Sequence, residues 1–147
     1  RRQIFAVGQR RFVRRVALRD IQQRAIADDP LSWPIGTDRL LGVSCYDDLG
    51  RARHLVSQGA DYVAFGSFFA SQVKPGARRA DIALLAQGKS LGVPVVAIGG
   101  ITADNARLLA AAGADAVAVI SAVFAHDDMA AVTRAAAAIA ACFDSTK

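Results

Sequence analysis

The chain has 147 residues, of which 53% are hydrophobic and 21% charged, a composition typical of one globular domain. No apolar run approaches the roughly 20 residues that a membrane-spanning helix requires, which argues against a membrane protein. The formal net charge of +5 arises at the start of the chain, because residues 1–39 carry nine arginines and four aspartates. The remainder, with nine basic and nine acidic side chains, is neutral.

The first 37 residues are predicted to be a basic N-terminal extension or remnant segment, and residues 38–147 to form the folded unit. A short strand is predicted over residues 4–7. Arginines and apolar residues alternate at near-helical spacing over 10–24, which indicates either a basic amphipathic helix or a disordered extension. Nucleic-acid binding is disfavoured, because the arginine-rich residues 1–24 contain only Phe5 and Phe12 as aromatic residues for stacking on bases.

Four strand–helix units follow, at roughly 20 to 30 residues per unit. Strands are predicted at 40–45, 62–65, from Pro94 and from Ala116. Helices are predicted from Asp47 or Asp48 to Ser57, over 81–89, from Thr102 or Asp104 to just before Gly113, and from His126 to about Cys142. Alternating units of this kind predict an α/β fold with a parallel sheet and right-handed crossovers.

Small and hydroxyl-bearing residues follow three of these strands. The strand at 62–65 ends at Gly66 and continues into a loop with Ser71 and Lys74. The next strand ends in a Gly-Gly turn at 99–100, and the last ends at Ser121. Parallel sheets bind ligands at the carboxyl ends of their strands, and a phosphate needs close approach to backbone N–H groups. The pattern therefore predicts a phosphate site at this edge.

The two cysteines and two histidines do not suggest a metal or disulfide site. Cys45 and Cys142 are too few and too distant for a zinc site or a disulfide framework, and Cys45 is predicted to be a small buried hydrophobe. His54 and His126 lack ligand-like spacing. Free thiols fit a reducing compartment, so a cytoplasmic location is expected.

Four motifs in order resemble the thiamine phosphate synthase family. They are Gly-Val-Ser at 42–44, Tyr-Val-Ala-Phe-Gly-Ser-Phe-Phe at 62–69 with Lys74 downstream, Val-Ala-Ile-Gly-Gly-Ile at 96–101, and Val-Ala-Val-Ile-Ser-Ala at 117–122. The resemblance covers roughly residues 38–143. It implies a TIM-barrel type fold present in part, as the last four of eight βα units, since a complete barrel needs roughly 200 residues or more.

The resemblance also implies an activity and the residues that perform it. The family joins a pyrimidine diphosphate to a thiazole phosphate, giving thiamine phosphate and pyrophosphate, so small-molecule substrates are the expected partners. Ser44 is expected to hydrogen-bond the diphosphate and Lys74 to pair with its charge. The thiazole phosphate is expected to contact Ser71, Gln72, Val73, Gly100, Ile120 and Ser121. Val73 stands where the family usually has a second hydroxyl, which removes one donor.

Magnesium is expected from the family, but its aspartate ligands are not found in this chain. Gly8 and Gln9 resemble a remnant of the family's fourth strand end, yet the acidic position that follows falls on Arg11, which cannot ligate a cation. Asp47 and Asp48 are predicted to be helix caps instead. Negligible synthesis by the chain alone, as a truncated or degenerate copy, is therefore expected even at high magnesium.

Two other functions are also compatible with the sequence. One is a related thiazole tautomerase, although Ser44 and Lys74 favour the synthase because a tautomerase has no diphosphate to hold. The other is a non-catalytic phosphate-binding half-barrel that pairs with another chain. Open sheet edges, together with strand residues expected to lack an opposing layer, predict association or a homo-oligomer. Those residues are Val43, Val63, Val96 and Val117.

Overall fold

A computed structural model describes residues 40–70 and 78–144 in full and the backbone of residues 5–8. The strands are Phe5–Gly8 (β1), Gly42–Tyr46 (β2), Tyr62–Phe65 (β3), Val95–Ile98 (β4) and Ala116–Val119 (β5). The α-helices are Leu49–Ser57 (α1), Ala83–Gly88 (α2), Ala103–Ala111 (α3), Ser121–Phe124 (α4) and Met129–Asp144 (α5), and a 3₁₀ turn at Lys89–Leu91 follows α2. No helix among these described residues is both long enough and apolar enough to cross a bilayer.

The five strands form one sheet in the order β1-β5-β4-β3-β2. Strands β2 to β5 are parallel to one another, which confirms the predicted α/β fold with four parallel strands. The predicted N-terminal strand is also present, but it runs antiparallel to β5, with Gly8 opposite Ala116. A remnant of the preceding barrel strand would instead lie parallel to β2, so this pairing does not support that interpretation of Gly8 and Gln9.

The larger hydrophobic core lies between the sheet and its helices. Successive residues of a strand point to opposite faces, so every second strand residue faces the helices. The strand residues of this core are Val43, Cys45, Val63, Phe65, Val95, Ala97, Val117 and Val119. Leu85, Leu109 and Ile139, which are fully buried, supply the helix side. The apolar faces of the helices and the strand residues that face them therefore pack together in one core.

The opposite face of the sheet is also buried. Its cluster consists of Tyr62, Ala64, Val96, Ala116 and Ala118, with Leu40 and Ile98 packed against it. The expectation of uncovered apolar strand residues was wrong for two reasons. Val43, Val63 and Val117 point to the helix side, and Val96 on the other face has no exposed surface.

Carboxylates set where several helices begin. Asp48 accepts a hydrogen bond from the N–H of Arg51 at 2.9 Å, as predicted for a cap of α1. The last helix begins at Met129 rather than at His126, because the Asp128 carboxylate accepts from the N–H groups of two following alanines at 3.1 Å. Helix α2 is shorter than predicted, and the chain tightens into the 3₁₀ turn before Gly92.

A repeated Gly-Ala-Asp sequence joins neighbouring strands at their amino ends. In the first copy, Asp61 accepts a hydrogen bond from the N–H of Leu41 at 2.6 Å. In the second copy, Asp115 accepts from the N–H of Val95 at 2.8 Å, across the same separation of 20 residues. Asp115 also accepts from the Lys89 ammonium group at 2.6 Å. These aspartates lie opposite the carboxyl edge and therefore serve the fold.

Replacing Asp115 by alanine is expected to lower the free energy of unfolding by about 1–3 kcal/mol, because the partly buried N–H of Val95 loses its acceptor. Lys89→Ala removes only the ion pair, whose lysine side chain is 49% exposed, and should cost about 0–1 kcal/mol. Urea unfolding of both variants measures the difference. Equal losses would mean that the ion pair, and not the backbone contact, supports the strand.

Candidate functional site

The carboxyl edge of the parallel sheet brings together the described residues that the sequence predicts for the site. Ser44 lies in β2, Gly100 follows β4, and Ile120 and Ser121 follow β5. Adjacent strands are about 4.8 Å apart, which places the end of β2 roughly 10 Å from the end of β4. Ser71, Gln72, Val73 and Lys74 lie outside the described residues.

The Gly-Gly turn after β4 is packed directly against the loop that follows β3. Gly99 and Gly100 have φ angles of 93° and 66°, in the region that favours glycine. A Cβ on Gly100 would lie 2.6 Å from the carbonyl oxygen of Phe69 and would also collide with that of Ala70. The N–H of Phe69 in turn donates to the Gly99 carbonyl at 3.2 Å. Both glycines are therefore required by conformation and by space.

Asn105 holds this turn from the side of α3 and was not predicted as a site residue. Its Oδ1 accepts from the N–H of Thr102 at 2.9 Å, and its Nδ2 donates to the carbonyl of Gly100 at 3.1 Å. Thr102 is the N-cap of α3, as predicted. The available signal was the position of Asn105, three residues after Thr102, where a capping box places a side chain that binds back to the N-cap. The usual residue at that position is Glu or Gln, so the signal was weak.

The end of β5 turns at once into the short helix α4. The Ile120 carbonyl accepts from the N–H of Phe124 at 2.8 Å, and the Ser121 carbonyl accepts from that of Ala125 at 3.1 Å. Ser121 is exposed and is the first residue of the helix. The first N–H groups of a helix lack partners within the helix, and α4 begins at the carboxyl edge.

A cation from α1, which was not predicted as a site residue, lies at the end of β2. The Nε of Arg51 in α1 donates to the Ser44 carbonyl at 3.2 Å, and its guanidinium lies 5.8 Å from the centre of the Tyr46 ring. Tyr46 is 48% exposed and has a φ of 55°, which is unusual for a bulky residue. Helical spacing alone gave no signal for Arg51, because its role depends on the bend at Tyr46.

Cys45 is not a nucleophile in this site. The thiol side chain is fully buried in the helix-side core, between Ser44 and Tyr46 in sequence. Burial raises its pKa to about 12, and the nearby Arg51 guanidinium only partly opposes that effect. The thiolate is therefore scarce at neutral pH, and the prediction of a buried hydrophobic cysteine is confirmed.

The carboxylates at this edge do not fit a magnesium site. Asp47 forms an ion pair with Arg78, with 2.8 Å between Oδ2 and Nε, and Asp48 is used as the cap of α1. Across residues 40–70 and 78–144, no three His, Cys, Asp or Glu side chains are grouped so that they could bind a metal ion. Magnesium needs several free oxygen ligands in near-octahedral geometry. Asp47 and Asp48 do not offer them, because both carboxylates already have partners.

Comparisons with known proteins identify one family. The family model described as thiamine monophosphate synthase matches residues 21–123, so the match begins inside the segment predicted to be an extension. The thiamine-phosphate synthase of Methylobacillus flagellatus is 56% identical over 100 residues, covering 68% of this chain and 48% of the relative. That of Bordetella avium is 57% identical over 106 residues, covering 67% of this chain and 49% of the relative.

Solved structures give the same result. The thiamine phosphate pyrophosphorylase of Pyrococcus furiosus is 35% identical, with a TM-score of 0.64, over 76% of this chain and 52% of that one. That of Bacteroides thetaiotaomicron has a TM-score of 0.53 at 16% identity, a likeness of fold alone. The chain spans about half the length of the curated relatives that it matches. Since the family model covers well over half of its residues, the chain belongs to the thiamine monophosphate synthase family.

Proposed function

We propose that the chain acts in thiamine phosphate synthesis, as a transferase that joins a pyrimidine diphosphate to a thiazole phosphate. The observation that carries this proposal is the alignment of Ser44, the Gly-Gly turn and the Ile120–Ser121 turn along one carboxyl edge. We further propose that the four parallel strands correspond to part of a TIM barrel. In such barrels the carboxyl edge is where the chemistry takes place.

The thiazole phosphate is assigned to the end of β4 and β5. Gly100 would offer its backbone N–H, and Ile120 and Ser121 would complete the cradle. Three features support this assignment: the glycine lacks a side chain, the N-cap of α3 stands two residues later, and Ser121 is exposed. The positive end of the helix dipole favours an anion at this position. Ser71, Gln72 and Val73 are assigned to the same phosphate by resemblance.

The diphosphate is assigned to the end of β2, on the other side of the site. Ser44 would donate a hydrogen bond to it, and Lys74 would neutralise part of its charge. The chemical step breaks the bond between the pyrimidine methylene carbon and the diphosphate oxygen, and the thiazole nitrogen then bonds to that carbon. Little proton transfer is needed, so positioning and charge stabilisation carry the catalysis.

The family's magnesium would neutralise part of the diphosphate charge. The described carboxylates at the edge are engaged with Arg78 and the N-terminus of α1. The relatives named above are called thiamine-phosphate synthases, which supports synthesis over the tautomerase and the non-catalytic half-barrel. Small-molecule substrates are the proposed partners. Association with a second copy through open sheet edges and a cytoplasmic location remain predictions.

Titration of the ¹⁵N-labelled chain with thiazole phosphate tests the proposal directly. We expect the amide signals of Gly100, Ile120 and Ser121 to shift, because their N–H groups would contact the phosphate. A parallel assay supplies both substrates with magnesium and measures thiamine phosphate. Shifts confined to other regions would contradict the assigned phosphate site. Binding at these residues without any product would identify a phosphate-binding module rather than a synthase.

A further inference from the structure

Asn105 links the first turn of α3 to the Gly-Gly turn of the site. Its side-chain oxygen accepts from Thr102, and its side-chain nitrogen donates to the carbonyl of Gly100. We propose that Asn105 is a positioning residue for the thiazole phosphate, which it would never touch. It would act by fixing the peptide that leaves Gly100, while the N–H of Phe69 holds the Gly99 carbonyl of the preceding peptide, which carries the Gly100 N–H. This inference rests on the proposed function, because it concerns the same phosphate cradle.

The physical basis is that a peptide group is planar, so fixing its oxygen fixes the rest. The Gly100 carbonyl and the N–H of Ile101 belong to one peptide plane and point in opposite directions. Glycine samples many backbone conformations in the absence of such a contact. The hydrogen bond from Asn105 to the Gly100 carbonyl, at 3.1 Å, restricts the backbone conformations of Gly100 on the side facing α3.

The opposite side of Gly100 is already closed by the loop after β3. The carbonyl oxygens of Phe69 and Ala70 occupy the space where a side chain would stand. Gly100 is therefore held between this loop and Asn105. Donor groups that are fixed before the ligand arrives bind an anion without the free-energy cost of ordering the turn. Asn105 is half-buried, so water competes only partly for its amide.

The two hydrogen bonds of Asn105 can be separated chemically. An aspartate at this position keeps an acceptor for the N–H of Thr102 and is favourable in the first turn of a helix. It has no donor for the Gly100 carbonyl and would repel that oxygen. Asn105→Asp should therefore keep the cap of α3 and release the turn. Asn105→Ala removes both bonds.

Asn105→Asp also adds a negative charge near the phosphate, and a control is needed for that charge alone. Ala103 is exposed and lies in the same helical turn, and its methyl side chain cannot form a hydrogen bond to the Gly100 carbonyl. Ala103→Asp therefore adds the charge without changing the bond to the carbonyl. We expect Asn105→Asp to weaken thiazole phosphate binding about tenfold relative to Ala103→Asp, in line with the loss of one hydrogen bond plus repulsion.

Calorimetric titration with thiazole phosphate measures the affinities, and urea unfolding of each variant confirms that the fold is intact. Hydrogen exchange of the ligand-free proteins is a second measurement. If Asn105 only capped α3, its replacement by aspartate would not change exchange in the Gly-Gly turn. We expect the Ile101 amide to exchange faster in Asn105→Asp than in Ala103→Asp, with the amides of α3 unchanged. Equal affinities for the two variants would overturn the positioning role.

Failure of the proposed function has a different outcome. If the unmodified chain does not bind thiazole phosphate, the proposed function is wrong at this site. The exchange measurement then still decides whether Asn105 fixes the turn, because it needs no ligand. Unchanged exchange of Ile101 in Asn105→Asp would remove the structural basis of the inference as well.

Discussion

Replacing Gly100 by alanine is expected to abolish thiazole phosphate binding, and any thiamine phosphate formation by the unmodified chain should fall by about 10²–10³-fold. The reason is steric and conformational. The new Cβ would meet the carbonyl oxygens of Phe69 and Ala70, and the φ of 66° is unfavourable for a residue with a side chain. The turn must move away from the loop after β3, which displaces the N–H group that would contact the phosphate.

A matched control separates the collision from the backbone conformation. Gly92 has a φ of 73°, close to that of Gly100, but an added Cβ there meets nothing within 4 Å. Gly92→Ala should therefore cost only the conformational strain, about 1–2 kcal/mol in the free energy of unfolding. It should leave the affinity for thiazole phosphate unchanged, because Gly92 precedes β4 and lies at the opposite edge.

Calorimetry with thiazole phosphate and urea unfolding distinguish the two glycine variants. We expect Gly100→Ala to be destabilised by more than Gly92→Ala and to lose binding as well. A Gly100→Ala protein that binds thiazole phosphate as tightly as the unmodified chain would show that the Gly-Gly turn is only a tight turn. The cradle assigned to the ends of β4 and β5 would then be wrong.

The strand–helix alternation of the folded unit could be predicted because local signals agree there with the final packing. Apolar runs preceded by Gly-Ala-Asp became β3 and β5, and Thr102 began a helix as its position before an apolar pattern indicated. Alternation alone did not show which face of each strand meets the helices. The register places Val43 opposite Val63, and the face is decided by where the helices pack.

The candidate site was predicted only where the sequence marks the residues locally. Hydroxyl and glycine residues at strand ends are visible as a pattern, which marked Gly100 and Ser121, whereas Ser44 was assigned from the family resemblance. Arg51 and Asn105 were missed because each acts on a backbone carbonyl of another element. Such contacts depend on how a turn bends, as at Tyr46, and no spacing rule encodes that bend.

Lys74→Ala is expected to lower any thiamine phosphate formation by the unmodified chain by about 10²–10³-fold, because the ammonium group that would stabilise the leaving diphosphate is lost. The role of Lys74 rests on the family resemblance and on Ser44, its proposed neighbour at the diphosphate. Affinity for pyrophosphate should fall in the same variant, and calorimetry measures this fall whatever the rate of turnover. The half-buried Arg51 cation near Ser44 would retain part of the attraction, so some residual binding is expected.

Two further variants show whether the effect belongs to this lysine. Lys74→Arg keeps the positive charge and should recover most of the pyrophosphate affinity, although guanidinium and ammonium groups bind phosphates with different geometry. Lys89→Ala removes a lysine whose ammonium group pairs with Asp115 at the amino edge, and it should leave pyrophosphate affinity unchanged. If Lys74→Ala matched the unmodified chain in both affinity and product formation, Lys74 would be a solvated loop residue. The diphosphate would then have to be held by Arg51 and Ser44 instead.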